Sequence, residues 1–254
     1  VYDGMPNWAT YSVGVDNTYV YGGTTSGVGL VTKSNFQHDY NWGEGTQTGN
    51  AVVEIMGDIA YIGTDGLGVM RYNITSNQWL VSFTEDNGVL DGGNDDVTGL
   101  VADIRPNLLW VGGSDGFQLI NVTTGAEAYD IERNSNLYDA AGSPYGMMIH
   151  HNIMYYHSST SSDEVSRMDV ANLASVGNLD IGSQVGQNGG DIIGMEMTGD
   201  VLMVSVASGQ WWQVDGSGGI AMYNTSNNSY ATNILPTGSI DRVTSYRSST
   251  GNTW

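Results

Sequence analysis

Gly57-Asp58-Ile59-Ala60-Tyr61-Ile62-Gly63-Thr64-Asp65-Gly66 returns later in the chain as Asn107-Leu108-Leu109-Trp110-Val111-Gly112-Gly113-Ser114-Asp115-Gly116. Each copy runs from a turn residue through a short apolar stretch to glycine. Weaker copies begin at Asn17 (NTYVYGG), Asn152 (NIMYYH), Asp200 (DVLMVS) and Asn252 (NTW). Counted from the leading Asn or Asp, successive copies lie 41, 49, 45, 48 and 52 residues apart. Strand-type sequence with a period of about 40–50 residues marks a β-propeller, one sheet to each repeat.

Working outward, each repeat reads as four short strands. In the second they cover Ala51–Met56, Ile59–Gly63, Gly68–Tyr72 and Trp79–Phe83. Gly57-Asp58 and Gly199-Asp200 are hairpin dipeptides, and Asp16-Asn17 holds the same place in the first repeat. The second strand of each repeat is a continuous apolar run, as expected where both sheet faces are covered. The expectation is an all-β propeller of four-stranded antiparallel blades, five complete and one truncated, in a single domain over residues 1–254. The blades fall at about 8–46, 50–91, 95–140, 145–187 and 190–238, with a partial sixth at 239–254. A chain that stops inside a repeat is expected to be a piece of a longer product. Its unpaired edges would favour self-association.

Composition narrows the partners. Against 27 Asp and Glu stand 7 Lys and Arg, a formal net charge of −20. Lys33, Arg71, Arg105, Arg133, Arg167, Arg242 and Arg247 are scattered singly, which excludes a phosphate-neutralising patch for nucleic acid or anionic membrane. Such acidity suits cations or a saline medium. No apolar run reaches the length of a membrane-spanning helix, and with no cysteine there are no disulfides or thiolate metal sites. Four N-x-S/T sequons, at Asn73, Asn121, Asn224 and Asn227, are compatible with an exterior location or with chance in an Asn- and Thr-rich chain.

Residues 50–125 carry a more specific likeness. The strand and turn Tyr61–Gly68 lead to Arg71-Tyr72-Asn73 and Asn77-Gln78-Trp79. Then follow Phe83-Thr84-Glu85-Asp86-Asn87-Gly88-Val89-Leu90 and Asn94-Asp95-Asp96-Val97-Thr98-Gly99-Leu100. This resembles the propeller repeats of two-component-regulator sensors, with their DNGL linker and LWIGT-x-GL strand. Leu109-Trp110-Val111-Gly112-Gly113 repeats the strand; His157 and Ser205 stand where the family has glycine. The resemblance implies an extracellular or periplasmic ligand-recognising domain. Gly63 and Gly112 are expected to permit a bend from strand to turn, and Tyr61 and Trp110 to fill space between blades.

Four groups of residues are candidates for chemistry. Asp86, Asp91, Asp95 and Asp96, with Glu85, Asn87 and Asn94, offer oxygen ligands for calcium. The other reading of the same segment is a turn whose Asn and Asp side chains bond their own backbone while Gly88 takes a positive φ. Glu54 and Glu196 each precede a hairpin glycine by three residues, a register placing both beside a central channel. Paired carboxylates there would serve glycoside hydrolysis. Trp211 and Trp212 sit in a long insertion, Ala207–Gly219, suited to stacking on a glycan or anchoring a protein, or to packing over the blade edge. His150 and His151, read as consecutive strand residues, point to opposite sides and so do not share a metal, while His157 could approach one of them with Asp163 or Glu164 as third ligand. The reading is a non-catalytic recognition or scaffold propeller of an exported or cell-surface protein. The alternative is a carbohydrate-active enzyme using channel carboxylates, and a third is a structural surface protein whose edges assemble.

Overall fold

The structure, a computed structural model, describes residues 10–24, 26–35, 38–42, 52–92, 95–113, 116–132, 144–158, 164–185, 191–207 and 218–231. These form five four-stranded antiparallel sheets, each with its strands in chain order. Blade one comprises β1 (Thr10–Val15), β2 (Tyr19–Thr24), β3 (Gly27–Thr32) and β4 (His38–Trp42). Blade two comprises β5 (Val52–Met56), β6 (Ile59–Gly63), β7 (Val69–Asn73) and β8 (Gln78–Phe83). Blade three comprises β9 (Gly99–Ala102), β10 (Leu108–Gly113), β11 (Gly116–Asn121) and β12 (Ala126–Glu132). Blade four comprises β13 (Pro144–His150), β14 (Ile153–Ser158), β15 (Glu164–Asp169) and β16 (Ala174–Asp180). After a 3-10 turn at Gly182–Val185, blade five comprises β17 (Asp191–Thr198), β18 (Val201–Ala207), β19 (Gly218–Asn224) and β20 (Ser229–Tyr230). The architecture is an all-β propeller of five four-stranded blades. Residues 239–254, expected to begin a sixth, lie outside the described residues.

The chain divides into two compact units near the start of β13, the first holding blades one to three and the second blades four and five. In the first, β5 lies between β1 and β9, so the leading strand of each sheet faces its neighbour's leading strand. Apolar faces close between sheets. Tyr21, Val28 and Leu30 meet Val53, Ala60 and Ile62, while Tyr61, Val69 and Phe83 meet Leu100, Leu109 and Val111. In the second unit Tyr155 and Val165 pack with Leu202, Val204 and Val206. The second strands are covered on both faces; Leu109, Trp110 and Val111 have no exposed surface.

Two backbone devices recur. In every blade the carbonyl at the tip of the first hairpin accepts an amide from the residue just after the third strand. The pairs are Lys33 to Thr18, Ile74 to Asp58, Val122 to Asn107, Val170 to Asn152 and Thr225 to Asp200, all at 2.8–2.9 Å. In blades two to five the carbonyl belongs to the Asn or Asp that opens the repeated phrase, and in blade one to Thr18, next to Asn17; Asn and Asp suit the reversal itself. The second device is the turn between third and fourth strands. Asn121, Asp169 and Asn224 each accept through Oδ1 the backbone amides two and three residues on, and Asn73 accepts that of Ser76, three residues on. The turn then closes on a left-handed residue: Asn77, Gly125, Leu173 or Asn228. Three of the four sequons are therefore explained by turn chemistry. Blade four keeps the turn with Asp169 and loses the sequon.

Gly63 corrects the expectation of a bend. Its φ lies outside the left-handed region, but a Cβ there would sit 2.4 Å from Val97 Cγ1 and 2.6 Å from Val52 Cγ2. Space between sheets, rather than backbone freedom, demands glycine. Blade four solves the same crowding the other way round: His157 brings the bulk, and Gly146 on β13 leaves room, a Cβ there falling 3.1 Å from the ring.

Candidate functional site

The connection from β8 to β9 is built largely on its own hydrogen bonds. Thr84 N–H donates to Asn87 Oδ1 and Asn87 N–H to Thr84 Oγ1, and Gly88 takes φ 72°. Asp95 Oδ1 accepts Glu85 N–H at 2.8 Å, and the Asp95 carbonyl accepts the amides of Gly66 and Gly68. The linker is thereby stitched to the β6–β7 turn. Burial, then a hydrogen bond shared with the Asp65 carboxyl, holds Asp96 above the usual carboxylate range. Asp86 and Asp91 are exposed, and Gln118, buried on β11, bonds the backbone at Val89 and Asp91. Among the described residues, these aspartates are not in a group of three ligand atoms close enough to share an ion.

Glu54 sits on β5 on the same face as Val52 and Met56, which pack into the cluster between blades two and three. Burial pushes its carboxyl up to about 7, partly offset by a hydrogen bond donated by Ala102 N–H of β9. The carboxyl thus lies between two leading strands. Glu196 is a half-buried residue of β17, paired across the hairpin with Met203. Trp211 and Trp212 lie outside the described residues, but the strands that frame them are described. β18 and β19 stay in register as far as Ala207↔Gly218, leaving residues 208–217 between them. The matching connections in blades two and three are residues 64–68 and 114–115.

The histidines overturn the expectation of opposed side chains. β13 ends at His150, and His151-Asn152 forms the hairpin turn with φ 47° and 66°. Alternation stops where the strand stops, and two left-handed residues swing His151 back toward His150. Both Nε2 atoms reach one oxygen, Asp200 Oδ1 on the β17–β18 hairpin, at 2.9 Å and 3.1 Å. Hydrogen bonding from His150, foremost, lowers the Asp200 carboxyl below its ordinary value. His157 instead lies against Gly146, and Glu164 Oε2 accepts Asn178 Nδ2 at 2.9 Å. Asp163 lies outside the described residues. Sequence reasoning missed Asp200 as a partner because fifty residues separate it from His150. The available signal was that both belong to first-hairpin turns of consecutive repeats.

Among the described residues, Arg71, Arg105 and Arg167 are committed to the fold. Arg71 Nε and Nη1 donate to the carbonyls of Val81 and Val122, and its guanidinium lies 4.1 Å from the Phe83 ring centroid. Arg167, at the equivalent place in β15, donates to Tyr223 Oη of blade five at 3.1 Å. Arg105 pairs with buried Asp103, which also accepts Trp110 Nε1 at 2.6 Å.

The fold has counterparts among solved structures. The extracellular domain of BT3049 from B. thetaiotaomicron, assigned to a hybrid two component system, is 14% identical with a TM-score of 0.65. The match covers 98% of this chain and 32% of that one. The extracellular domain of BT4673 from the same organism, assigned to a one component system, is 12% identical with a TM-score of 0.64, covering 96% and 31%. The computationally designed Ika8 protein is 14% identical with a TM-score of 0.57, covering 92% and 64%. The fold is shared. The propeller fold implied by the resemblance at residues 50–125 is the fold of these two extracellular domains. The chain spans about a third of the two extracellular domains and less than two thirds of Ika8. No protein-family model and no curated protein matches it. Among the described residues, no helix is long and apolar enough to cross a membrane.

Proposed function

We propose that this propeller is a non-catalytic recognition or scaffold domain of an exported or cell-surface protein, engaging a glycan or protein through the β18–β19 connection. The observation that carries the reading is the hairpin held in register to Ala207↔Gly218, with Trp211 and Trp212 among the residues, 208–217, that join its strands in sequence. A long connection between paired strands, carrying adjacent aromatics, is the kind of feature that binding surfaces are built from. An exterior setting is supported by the extracellular domains among the similar folds. The scarcity of cationic residues, 7 against 27 acidic ones, argues away from nucleic acid. The test is a tryptophan-fluorescence titration with a panel of soluble oligosaccharides, run on the native chain and on Trp211→Ala with Trp212→Ala. Binding that disappears in the variant with an unchanged melting temperature supports the reading. A large loss of stability would instead make the tryptophans packing residues.

A carbohydrate-active enzyme is the second reading, and the Glu54 carboxyl favours it, because a group near 7 is poised for general acid work. Glycoside hydrolysis surviving in Glu54→Gln would remove that assignment.

A further inference from the structure

We infer that His150, His151 and Asp200 form a binding site for a divalent transition-metal ion, Zn²⁺ being the test case, which ties the first hairpin of blade four to that of blade five. Two imidazole nitrogens and a carboxylate are a donor set for borderline metals rather than for calcium or magnesium. The three ligand atoms all lie within 4.8 Å of one another. Bonds of about 2.0–2.1 Å in a tetrahedral zinc centre put neighbouring ligand atoms about 3.3 Å apart. The present separations of 2.9 Å and 3.1 Å from each Nε2 to Oδ1 open to that value with small side-chain rotations. The two rings stand at 76° with centroids 4.0 Å apart, so their nitrogens converge without stacking.

The backbone on both sides is well placed to hold the ligands. The Asp200 carbonyl is bonded by both the amide and the hydroxyl of Thr225, fixing the hairpin tip. The Asn152 carbonyl is held by Val170 N–H in the same manner. Blades two and five use glycine, Gly57 and Gly199, as the left-handed first turn residue; blade four places His151 there. A histidine is accepted at a position where glycine is easier, and that choice is what brings the second imidazole to the carboxylate. His150 is mostly covered and His151 mostly open, with side chains 21% and 72% exposed. Three protein ligands on an open surface leave room for water or an outside group in the fourth position. The chain's formal charge of −20 raises the local concentration of cations.

The experiment is thermal unfolding of the full chain, stripped with chelator, against added ZnCl₂ or CaCl₂. It is paired with cobalt titration read by visible absorption, whose d–d bands report tetrahedral nitrogen and oxygen coordination. The expected result is a zinc-dependent rise in midpoint of about 5–10 °C when zinc stands a hundredfold above its Kd, with no such rise from calcium. His151→Gly removes one ligand while giving the turn its easiest residue, so this variant folds at least as well without metal and loses the zinc response and the cobalt spectrum. His150→Ala and Asp200→Asn lose them too. Absence of a zinc shift in the native chain, or a shift that persists in His151→Gly and Asp200→Asn, overturns the site.

Discussion

Replacing Glu54 by Gln should make the protein more stable at alkaline pH and leave it slightly less stable at acid pH. The carboxyl has an ordinary value of 4.5 and is raised to about 7 by burial between β5 and β9. Below 4.5 the group is neutral in both states and costs nothing. Between 4.5 and 7 the native state keeps the proton that the unfolded chain has given up, so stability falls as pH rises, by about 1.4 kcal/mol for each pH unit. Above 7 both states are ionised and the loss is complete. From 4.5 to about 7 it comes to about 3 kcal/mol, an upper figure because the residue is only partly buried. Glutamine cannot ionise, and its carbonyl still accepts Ala102 N–H; its amide hydrogens lack the carboxylic acid's fit, a small cost at every pH. Urea unfolding of both proteins from pH 4.5 to 8.5 isolates the effect, because every other titrating group cancels in the difference. The stability difference, variant minus native, should rise by about 2–3 kcal/mol across that range. A flat difference, or one that falls with pH, would refute the burial of this carboxyl and the general-acid reading that depends on it.

Leu173 occupies a left-handed position, φ 52°, where the matching residues are Asn77, Gly125 and Asn228. Leu173→Asn should therefore raise stability by about 0.5–1 kcal/mol in chemical denaturation, and a loss would show that its side-chain packing outweighs the strain. Gly63→Ala drives a methyl into Val97 and Val52 and should cost about 1–3 kcal/mol. Val97→Ala in the same chain should recover part of it, and an additive pair would disprove the clash. Asn73→Ala removes the Oδ1 acceptor of Ser76 N–H and should cost about 1 kcal/mol. Thr75→Ala, which destroys only the sequon, should stay within about 0.5 kcal/mol, and equal losses in the two would contradict the turn explanation.

The strands were legible because hairpin dipeptides and apolar runs are local. Those of blade two, β5 to β8, lie within a residue of their sequence reading. Trp110 and Tyr61 were legible as buried spacers because an aromatic in a doubly covered strand has nowhere else to go. What failed was whatever depends on where alternation ends. His151 reads as a strand residue in the sequence, and the left-handed pair His151-Asn152 reverses its direction. Gly63 was credited with conformational freedom when the pressure on it comes from Val97, more than thirty positions away. Sequons at Asn73, Asn121 and Asn224, compatible in the sequence with an exterior location or with chance, share a cause in the third-to-fourth-strand turn. The meeting of His150 with Asp200 needed two sheets side by side, which no linear spacing encodes.

The carbonyl brace at each first-hairpin tip closes within a single sheet, so a copied or deleted repeat brings or takes its whole stitch with it. The arginines behave otherwise. Arg71 reaches from blade two to Val122 of blade three, and Arg167 from blade four to Tyr223 of blade five. A sheet moved alone would keep the bonds each guanidinium makes within its own blade, Arg71 to Val81 and Arg167 to Val176 and Gly177, and would lose the tie to the next. Each repeat thus carries its own stitch but not its own shelter, since its apolar faces close only on the sheets beside it.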